Sequence, residues 1–199
     1  MRDDKNEILL VGIIEKEPEY WYTNGKDVKE YLFTIGVKRY SGRIDHIRVC
    51  VPEDKMKEKE IKVGDAFEIS GQVRTRNIKL ESGPKKSILE VFVFQRYINR
   101  IENFTEDMYK NECTIFGTIV KKNQFKDKLT SKKVLLEFIL ASNRRNGEGA
   151  YIPCVAWEKD AYVLKDSTPY IKILLKGRME SKELPNKKEV YWISVKEYT

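Results

Sequence analysis

The sequence predicts an all-β protein made of two tandem five-stranded β-barrels, each with a short helix after its third strand. A chain of 199 residues has room for two small domains, and its two halves repeat one another. In each half, five runs of β-branched and aromatic residues are bounded by Gly, Asn, Asp or Pro. Five strands with a helix after the third is the order of an OB fold.

The repeat has an offset of 105 residues and defines copy one and copy two. Eight identities keep one register over 37 positions, more than the roughly one in fifteen expected by chance at each position. They are Asn6, Glu7, Gly12, Ile14, Lys16, Phe33, Arg39 and Gly42 in copy one and Asn111, Glu112, Gly117, Ile119, Lys121, Phe138, Arg144 and Gly147 in copy two. A one-residue deletion then aligns Cys50 with Cys154, and a compensating insertion aligns Gly71 with Gly177.

The element boundaries follow from these runs. Strands are predicted at 7–14, 31–38, 46–51, 66–76 and 88–97 in copy one, and at 112–120, 134–142, 151–157, 170–180 and 189–196 in copy two. Charged stretches at 52–61 and 158–164 are the predicted helices. We therefore expect OB domains at 1–100 and 111–199, joined by a linker at 101–110 in which Thr105 caps one helical turn.

Charge favours a polyanionic partner. The net charge is +7 and the pI is about 9.1. Residues 1–105 contribute +2 and residues 106–199 contribute +5, so most of the positive field belongs to copy two. No apolar run approaches the roughly 18 residues of a membrane span, and the charged start of the chain lacks a secretory cleavage site. We expect a cytoplasmic protein.

Motifs for catalysis or metal binding are missing from the sequence. Cys50, Cys113 and Cys154 form no CxxC pair, which indicates buried free thiols and neither a disulfide framework nor a zinc site. His46 is the single histidine, and no nucleophile or carboxylate pair frames it. No phosphate-cradling glycine loop is recognisable. We expect a protein that is not an enzyme and has no cofactor.

Several stretches resemble the bacterial single-stranded-DNA-binding (SSB) family, OB-fold proteins of DNA replication, repair and recombination. They are 138–144 (FILASNR) and 151–161 (YIPCVAWEKDA) in copy two, and 62–65 (KVGD), 71–77 (GQVRTRN), 17–18 (EP) and 24–25 (NG) in copy one. In the family, copy two's stretches correspond to the second and third strands and the following helix. The stretches of copy one correspond to the fourth strand and the first hairpin.

The resemblance implies that bases stack on aromatic side chains while basic residues follow the backbone. Elementary chemistry leads to the same arrangement, because a base stacked on an aromatic ring contributes about 1 to 3 kcal/mol whatever its identity. The positions that match the family's stacking residues are Tyr151, Trp157 and Leu184 in copy two and Ile47, Glu53 and Ile78 in copy one. Copy two is therefore expected to be the stronger platform.

Thirteen residues are predicted to contact nucleic acid. They are Tyr151, Trp157, Arg144, Arg145 and Arg178 in copy two, and Trp21, Tyr22, Lys38, Arg39, Tyr40, Arg48, Arg74 and Arg76 in copy one. Even spacing places Tyr151 and Trp157 on one face of their strand, which is either a binding face or the core. Arg74 and Arg76 share a face of theirs. Because adjacent strand residues point to opposite faces, at least one ring of the run 20–22 should be exposed.

Two further points concern partners. Members of the SSB family usually present four OB barrels, so a two-barrel chain is expected to form a homodimer. The chain stops at residues 196–199 without the acidic tail by which many members recruit other proteins, so recruitment of that kind is not expected. Two alternatives stay open: a protein-interaction or dimerisation module like the family's replication-restart relatives, and an RNA-binding module, because stacking and phosphate contacts do not inspect the 2′-OH.

Overall fold

The computed structural model describes residues 5–79, 87–127, 133–143, 149–186 and 189–199, with side chains at all of these except 78–79 and 87–89. Arg144, Arg145 and the side chain of Ile78 lie outside this description. The strands of copy one are β1 (Asn6–Thr23), β2 (Lys29–Lys38), β3 (Ile44–Pro52), β4 (Ala66–Lys79) and β5 (Ser87–Ile101), with helix α1 (Glu53–Lys59) after β3. Copy two contains β6 (Lys110–Lys126), β7 (Leu135–Asn143), β8 (Gly149–Trp157), β9 (Lys172–Glu183) and β10 (Glu189–Tyr198), with α2 (Glu158–Asp166) after β8.

The strands of each copy pair in the order of an OB fold. Copy one follows β1-β2-β3-β5-β4 and returns to β1, and copy two follows β6-β7-β8-β10-β9 and returns to β6. The pairs β3–β5 and β8–β10 are parallel, and the other pairs are antiparallel. The predicted all-β fold of two tandem OB units, each with a helix after its third strand, is confirmed.

The first strand of each copy is much longer than predicted, because it changes partners at a β-bulge. β1 pairs with β4 as far as Ile13 and with β2 from Ile13 to Thr23. The register of β1 against β2 shifts after Ile14, which is where the predicted strand ends. A comparable shift follows Ile119 in β6. A bulge bends the strand and increases its twist, which lets one strand close the barrel and continue into a long hairpin.

The segment between the copies contains one short helical turn. Residues Glu106–Met108 form a single 3₁₀ turn directly after Thr105. The Thr105 hydroxyl donates to the carboxylate of Asp107 at 2.6 Å and does not cap the turn through a backbone N–H. The division into domains at 1–100 and 111–199 with a linker at 101–110 stays a prediction.

The first strands join the two copies into one continuous sheet. β1 and β6 run antiparallel, and the equivalent residues Ile8 and Cys113 face each other at the centre of the pairing. A local two-fold axis between β1 and β6 therefore relates the two copies.

Asn6 recurs in the sequence because its side-chain amide makes two 2.9 Å hydrogen bonds with the backbone of Val73. Asn111 makes the same pair of bonds to Met179.

Strand pairing corrects the alignment of the copies around β3 and β8. Phe33 pairs with Val49, and its equivalent Phe138 pairs with Cys154. Val49 is therefore equivalent to Cys154, and the deletion that aligned Cys50 with Cys154 was wrong. A slip of one residue exchanges the two faces of a strand.

The corrected register changes which residues of copy one match the predicted stacking positions. Tyr151 is equivalent to His46 and not to Ile47, which is a core residue with no exposed surface. Trp157 is equivalent to Pro52 and not to Glu53.

The apolar interior is built from the inward faces of both rings. Its largest fully buried side chains include Phe33, Phe67 and Phe138. Cys50, Cys113 and Cys154 are buried free thiols, as predicted, and burial raises the pKa of Cys113 to about 12. In the part of the chain that the structure describes, no helix is long and apolar enough to cross a membrane, and no cluster of three potential metal ligands occurs.

Candidate nucleic-acid interface

The outer face of copy two carries both of the aromatic residues predicted on β8. Along β8 the side chains of Ile152, Cys154 and Ala156 point into the core, whereas Trp157 lies on the opposite face with Tyr151. Trp157 is half-buried, and its indole N–H donates to the hydroxyl oxygen of Ser194 at 2.9 Å. This bond holds the ring against β10 and leaves Trp157 outside the barrel core.

A groove of about 830 Å³ runs over this face. Two tryptophans, Trp157 and Trp192, contribute to its wall. Its basic lining residues are Arg39, Arg43, Lys133, Arg178, Lys182 and Lys196, and its acidic ones are Glu137 and Glu180. Arg39 and Arg43 come from the β2–β3 hairpin of copy one, so the groove of copy two is completed by the other copy.

Trp192 was not among the residues predicted from the sequence. It lies on β10 opposite Glu180 and is equivalent to Phe92 of copy one, which lies opposite Arg74. Its indole nitrogen is buried and has no hydrogen-bond partner among the described residues. Alternation between the buried Tyr191 and Ile193 was the signal that could have placed it on the outer face.

Arg39 and Arg178 take part in a buried ionic cluster, the carboxylate cluster, with Asp45 and Glu180. Arg39 binds Asp45 in a short ion pair and Glu180 at 3.2 Å, while Arg178 binds Glu180 at 2.8 Å. The hydrogen bond to Asp45 raises the pKa of the Arg39 guanidinium. Asp45 also accepts a 3.2 Å bond from the backbone N–H of Ser181. The cluster therefore neutralises two predicted phosphate contacts while tying β3 to β9.

Tyr151 lies away from the groove, although it shares a face of β8 with Trp157. Six residues of strand separate the two by about 20 Å. Tyr151 is 52% exposed and lies where β8 meets β4, its backbone N–H donating to the Thr75 hydroxyl at 3.0 Å. The local two-fold repeats this contact, because the His46 N–H donates to the Ser181 hydroxyl at 2.8 Å. We call these places the β4–β8 and β3–β9 junctions.

The outer face of copy one carries an aromatic–arginine cluster. The Trp21 ring packs edge-on against Tyr22 and Phe92, with centroids 4.8 Å apart in both pairs. The Arg76 guanidinium lies 3.9 Å from the centroid of Tyr22 and 5.2 Å from that of Trp21. Arg48 is 5.9 Å from the Trp21 centroid. Burial in this cluster raises the pKa of Tyr22, with smaller contributions from Cys50 and Glu30.

A bulge explains why neighbouring rings meet in this cluster. The register of β1 against β2 shifts between Tyr20 and Tyr22, so Trp21 and Tyr22 do not point to opposite faces as regular alternation requires. Tyr20 is 57% exposed, which confirms that the run 20–22 exposes a ring. Tyr22 is equivalent to Lys126 in copy two, and Trp21 has no counterpart there.

Three other predicted residues of copy one, Arg74, Arg48 and Lys38, each contact a neighbouring side chain. Arg74 stacks on Phe94 at 3.6 Å and donates to Gln72 at 3.1 Å. Arg48 also pairs with Glu90 at 3.2 Å. Lys38 pairs with Glu106 at 2.8 Å, and this hydrogen bond raises the pKa of the amine.

The predicted contact Tyr40 and the matched stacking position Leu184 lie in connections between strands. Tyr40, in the β2–β3 turn, is fully exposed. Leu184, the third matched stacking position of copy two, follows β9 and is half-buried.

Comparison with known proteins identifies solved structures that share this fold. No family model and no curated protein matches the chain. The structure is similar to that of the wild-type single-stranded DNA binding protein from Thermus aquaticus, with a TM-score of 0.70 and 16% identity over 98% of this chain and 91% of that one. A deletion mutant of that protein gives a TM-score of 0.71 and 15% identity over 98% and 93% of the two chains.

A third solved structure is similar to part of the chain. The N-terminal domain of PriB from Thermoanaerobacter tencongensis covers 49% of this chain with 98% of its own, at 23% identity and a TM-score of 0.41. The resemblance predicted from the sequence, to a tandem OB-fold SSB, is confirmed for the fold by the Thermus aquaticus structures.

Proposed function

We propose that this protein binds single-stranded DNA without a fixed sequence preference and without catalysing a reaction, in replication, repair or recombination. The main support is the groove of copy two, in which Trp157 and Trp192 lie among basic side chains. Unpaired bases stack on such rings and phosphates pair with such cations. The fold shared with the Thermus aquaticus single-stranded DNA binding protein supports the same function.

Copy one contributes a second surface of similar chemistry. Arg76 lies over the rings of Tyr22 and Trp21, and a guanidinium stacked on an aromatic ring keeps a free face and its in-plane donors for bases and phosphates. Glu90 neutralises part of this surface by pairing with Arg48. We therefore propose that copy one binds DNA more weakly than copy two.

Binding of oligo(dT) is expected to weaken steeply with salt. Each phosphate contact on a single strand contributes about −0.7 to the slope of log K against log salt, so about four contacts would produce a slope near −3. Fluorescence anisotropy of a labelled oligonucleotide at several salt concentrations measures the slope. A flat dependence, or equal binding of duplex DNA, would contradict the proposal.

The same titration distinguishes the alternatives. Oligo(U) that competes as well as oligo(dT) would favour the RNA-binding module, because the groove would then accept the 2′-OH. A protein that binds neither single strand would favour the protein-interaction module.

The protein is expected to form a homodimer that brings four OB units together. Static light scattering should give twice the chain mass of 23.5 kDa. A mass of 23.5 kDa that does not change with concentration would contradict this expectation. Closure of each five-stranded ring means that a dimer would use faces and loops of the barrels more than free strand edges.

A further inference from the structure

The groove of copy two contains two carboxylates with different surroundings. Glu180 is almost fully buried and is neutralised by Arg39 at 3.2 Å and by Arg178 at 2.8 Å. The side chain of Glu137 is half-buried, and it makes no hydrogen bond or ion pair with any residue that the structure describes. Glu137 therefore presents to the groove a carboxylate that is open to a ligand.

The surroundings of Glu137 are apolar and lie next to the stacking ring. Its side chain is on the outer face of β7, because Leu136 and Phe138 on either side of it point into the core. Val155 of β8 is directly opposite Glu137, and the Cβ atoms of such a cross-strand pair are about 4.5 to 5.5 Å apart. The next outward residue of β8 after Val155 is Trp157. A base that stacks on Trp157 thus has an edge close to the Glu137 carboxylate.

Cations without a carboxylate partner lie on the other side of the groove. Lys182, Lys196 and Arg43 line it, and none of the three pairs with a carboxylate among the described residues. The Arg43 guanidinium is held to β9 by a 2.8 Å hydrogen bond to the Ser181 carbonyl. Because β8 and β10 separate β9 from β7 in the sheet, phosphates are expected along β9 and β10, and bases are expected to turn toward β7 and β8.

We infer that Glu137 accepts a hydrogen bond from the exocyclic amino group of the base that stacks on Trp157, so that this one position of the bound strand prefers cytosine or adenine to thymine. The inference rests on the proposed function, since it names the class of base that the groove selects. Cytosine and adenine carry an amino donor where thymine carries a carbonyl oxygen, and a carboxylate accepts from the first and repels the second. The other positions stay tolerant of sequence, because stacking alone does not distinguish bases.

The repeat supplies a matched variant for the test. Because Phe33 and Phe138 are equivalent, Glu137 is equivalent to Leu32 of copy one. Glu137→Leu therefore places the residue of copy one in the groove of copy two, while Glu137→Gln keeps the shape of the side chain and removes its charge. Asp166→Asn is the control, since Asp166 is an exposed carboxylate at the end of α2 that does not line the groove.

Labelled oligo(dC) and oligo(dT) of about 12 nucleotides, within the site size of one OB unit, are titrated with each full-chain protein at constant salt. The quantity compared is the ratio of the Kd for oligo(dT) to the Kd for oligo(dC), because differences between the oligonucleotides themselves cancel when this ratio is compared between proteins. Glu137→Leu and Glu137→Gln should lower the ratio by about three- to tenfold relative to the unmodified protein. Asp166→Asn should leave it within about twofold.

Three results would contradict the inference. A ratio that is equal or higher in both Glu137 variants, while the unmodified protein binds both oligonucleotides, would overturn it and leave the proposed function intact. An equal gain of affinity for oligo(dC) and oligo(dT) in Glu137→Gln would also overturn it, because Glu137 would then act only as a charge that repels phosphates. Failure of the unmodified protein to bind either oligonucleotide would overturn both the inference and the proposed function.

Discussion

Trp157→Ala is expected to weaken binding of oligo(dT) by about 1 to 3 kcal/mol, or roughly 5- to 150-fold in affinity. The ring lies on the outer face of β8 in a groove lined with basic side chains, and alanine removes the surface on which a base stacks. Anisotropy titrations at constant salt measure the change. Quenching of tryptophan fluorescence by oligo(dT) should fall in the same variant, because one of the two groove tryptophans is lost.

Stability must be measured on the same protein, because Trp157 also donates to Ser194 at 2.9 Å. Trp157→Phe keeps a ring and loses the donor, so it should retain more affinity than the alanine variant. Tyr170→Ala serves as a control, since Tyr170 is exposed and does not line the groove. A Trp157→Ala protein that unfolds at lower urea concentration yet binds DNA with unchanged affinity would show that the tryptophan is purely structural.

Asp45→Ala is expected to lower the free energy of unfolding by about 3 to 5 kcal/mol, because removing one partner of a buried ion pair leaves the other charge without compensation. Asp45 is fully buried, binds Arg39 and accepts from the Ser181 N–H across the β3–β9 junction. The variant loses both contacts. Urea denaturation followed by circular dichroism measures the effect.

Two further variants serve as controls for the stability change of Asp45→Ala. Asp54→Ala removes an exposed carboxylate from α1 and should change stability by no more than about 0.5 kcal/mol. Asp45→Ala combined with Arg39→Leu removes both charges of the pair and should cost less than Asp45→Ala alone. A loss below about 1 kcal/mol for Asp45→Ala would mean that Arg39 is compensated by Glu180 alone and that the cluster does not hold the copies together.

The fold could be predicted because local preference and global geometry agree along most of the chain. Asn6 and Asn111 recur because each amide closes the same pair of backbone hydrogen bonds in its own copy. Gly12 and Gly117 recur because a Cβ at either position would collide with the backbone of the neighbouring strand. Such positions tolerate few residue types, so the repeat stays visible in the sequence and with it the OB order of strands.

The binding surfaces were predicted only in part. The sequence pointed to Trp157 through the resemblance to the SSB family, and to the arginines of β4 because alternation within one strand places them on one face. It did not reveal that Tyr151 lies at a junction with copy one, away from the groove that Trp157 lines. It also did not reveal Trp192, whose position depends on the pairing of β10 with β9.

What the sequence by itself determined was the repeat, the all-β class, the buried thiols and the basic charge, since each depends on residue type and local spacing. Only the tertiary structure decided the register that makes Tyr151 equivalent to His46. It alone brought Arg39 to Glu180, 141 positions away in the chain. These outcomes depend on hydrogen-bond ladders and on contacts between distant strands, and a slip of one residue in a ladder reverses every face.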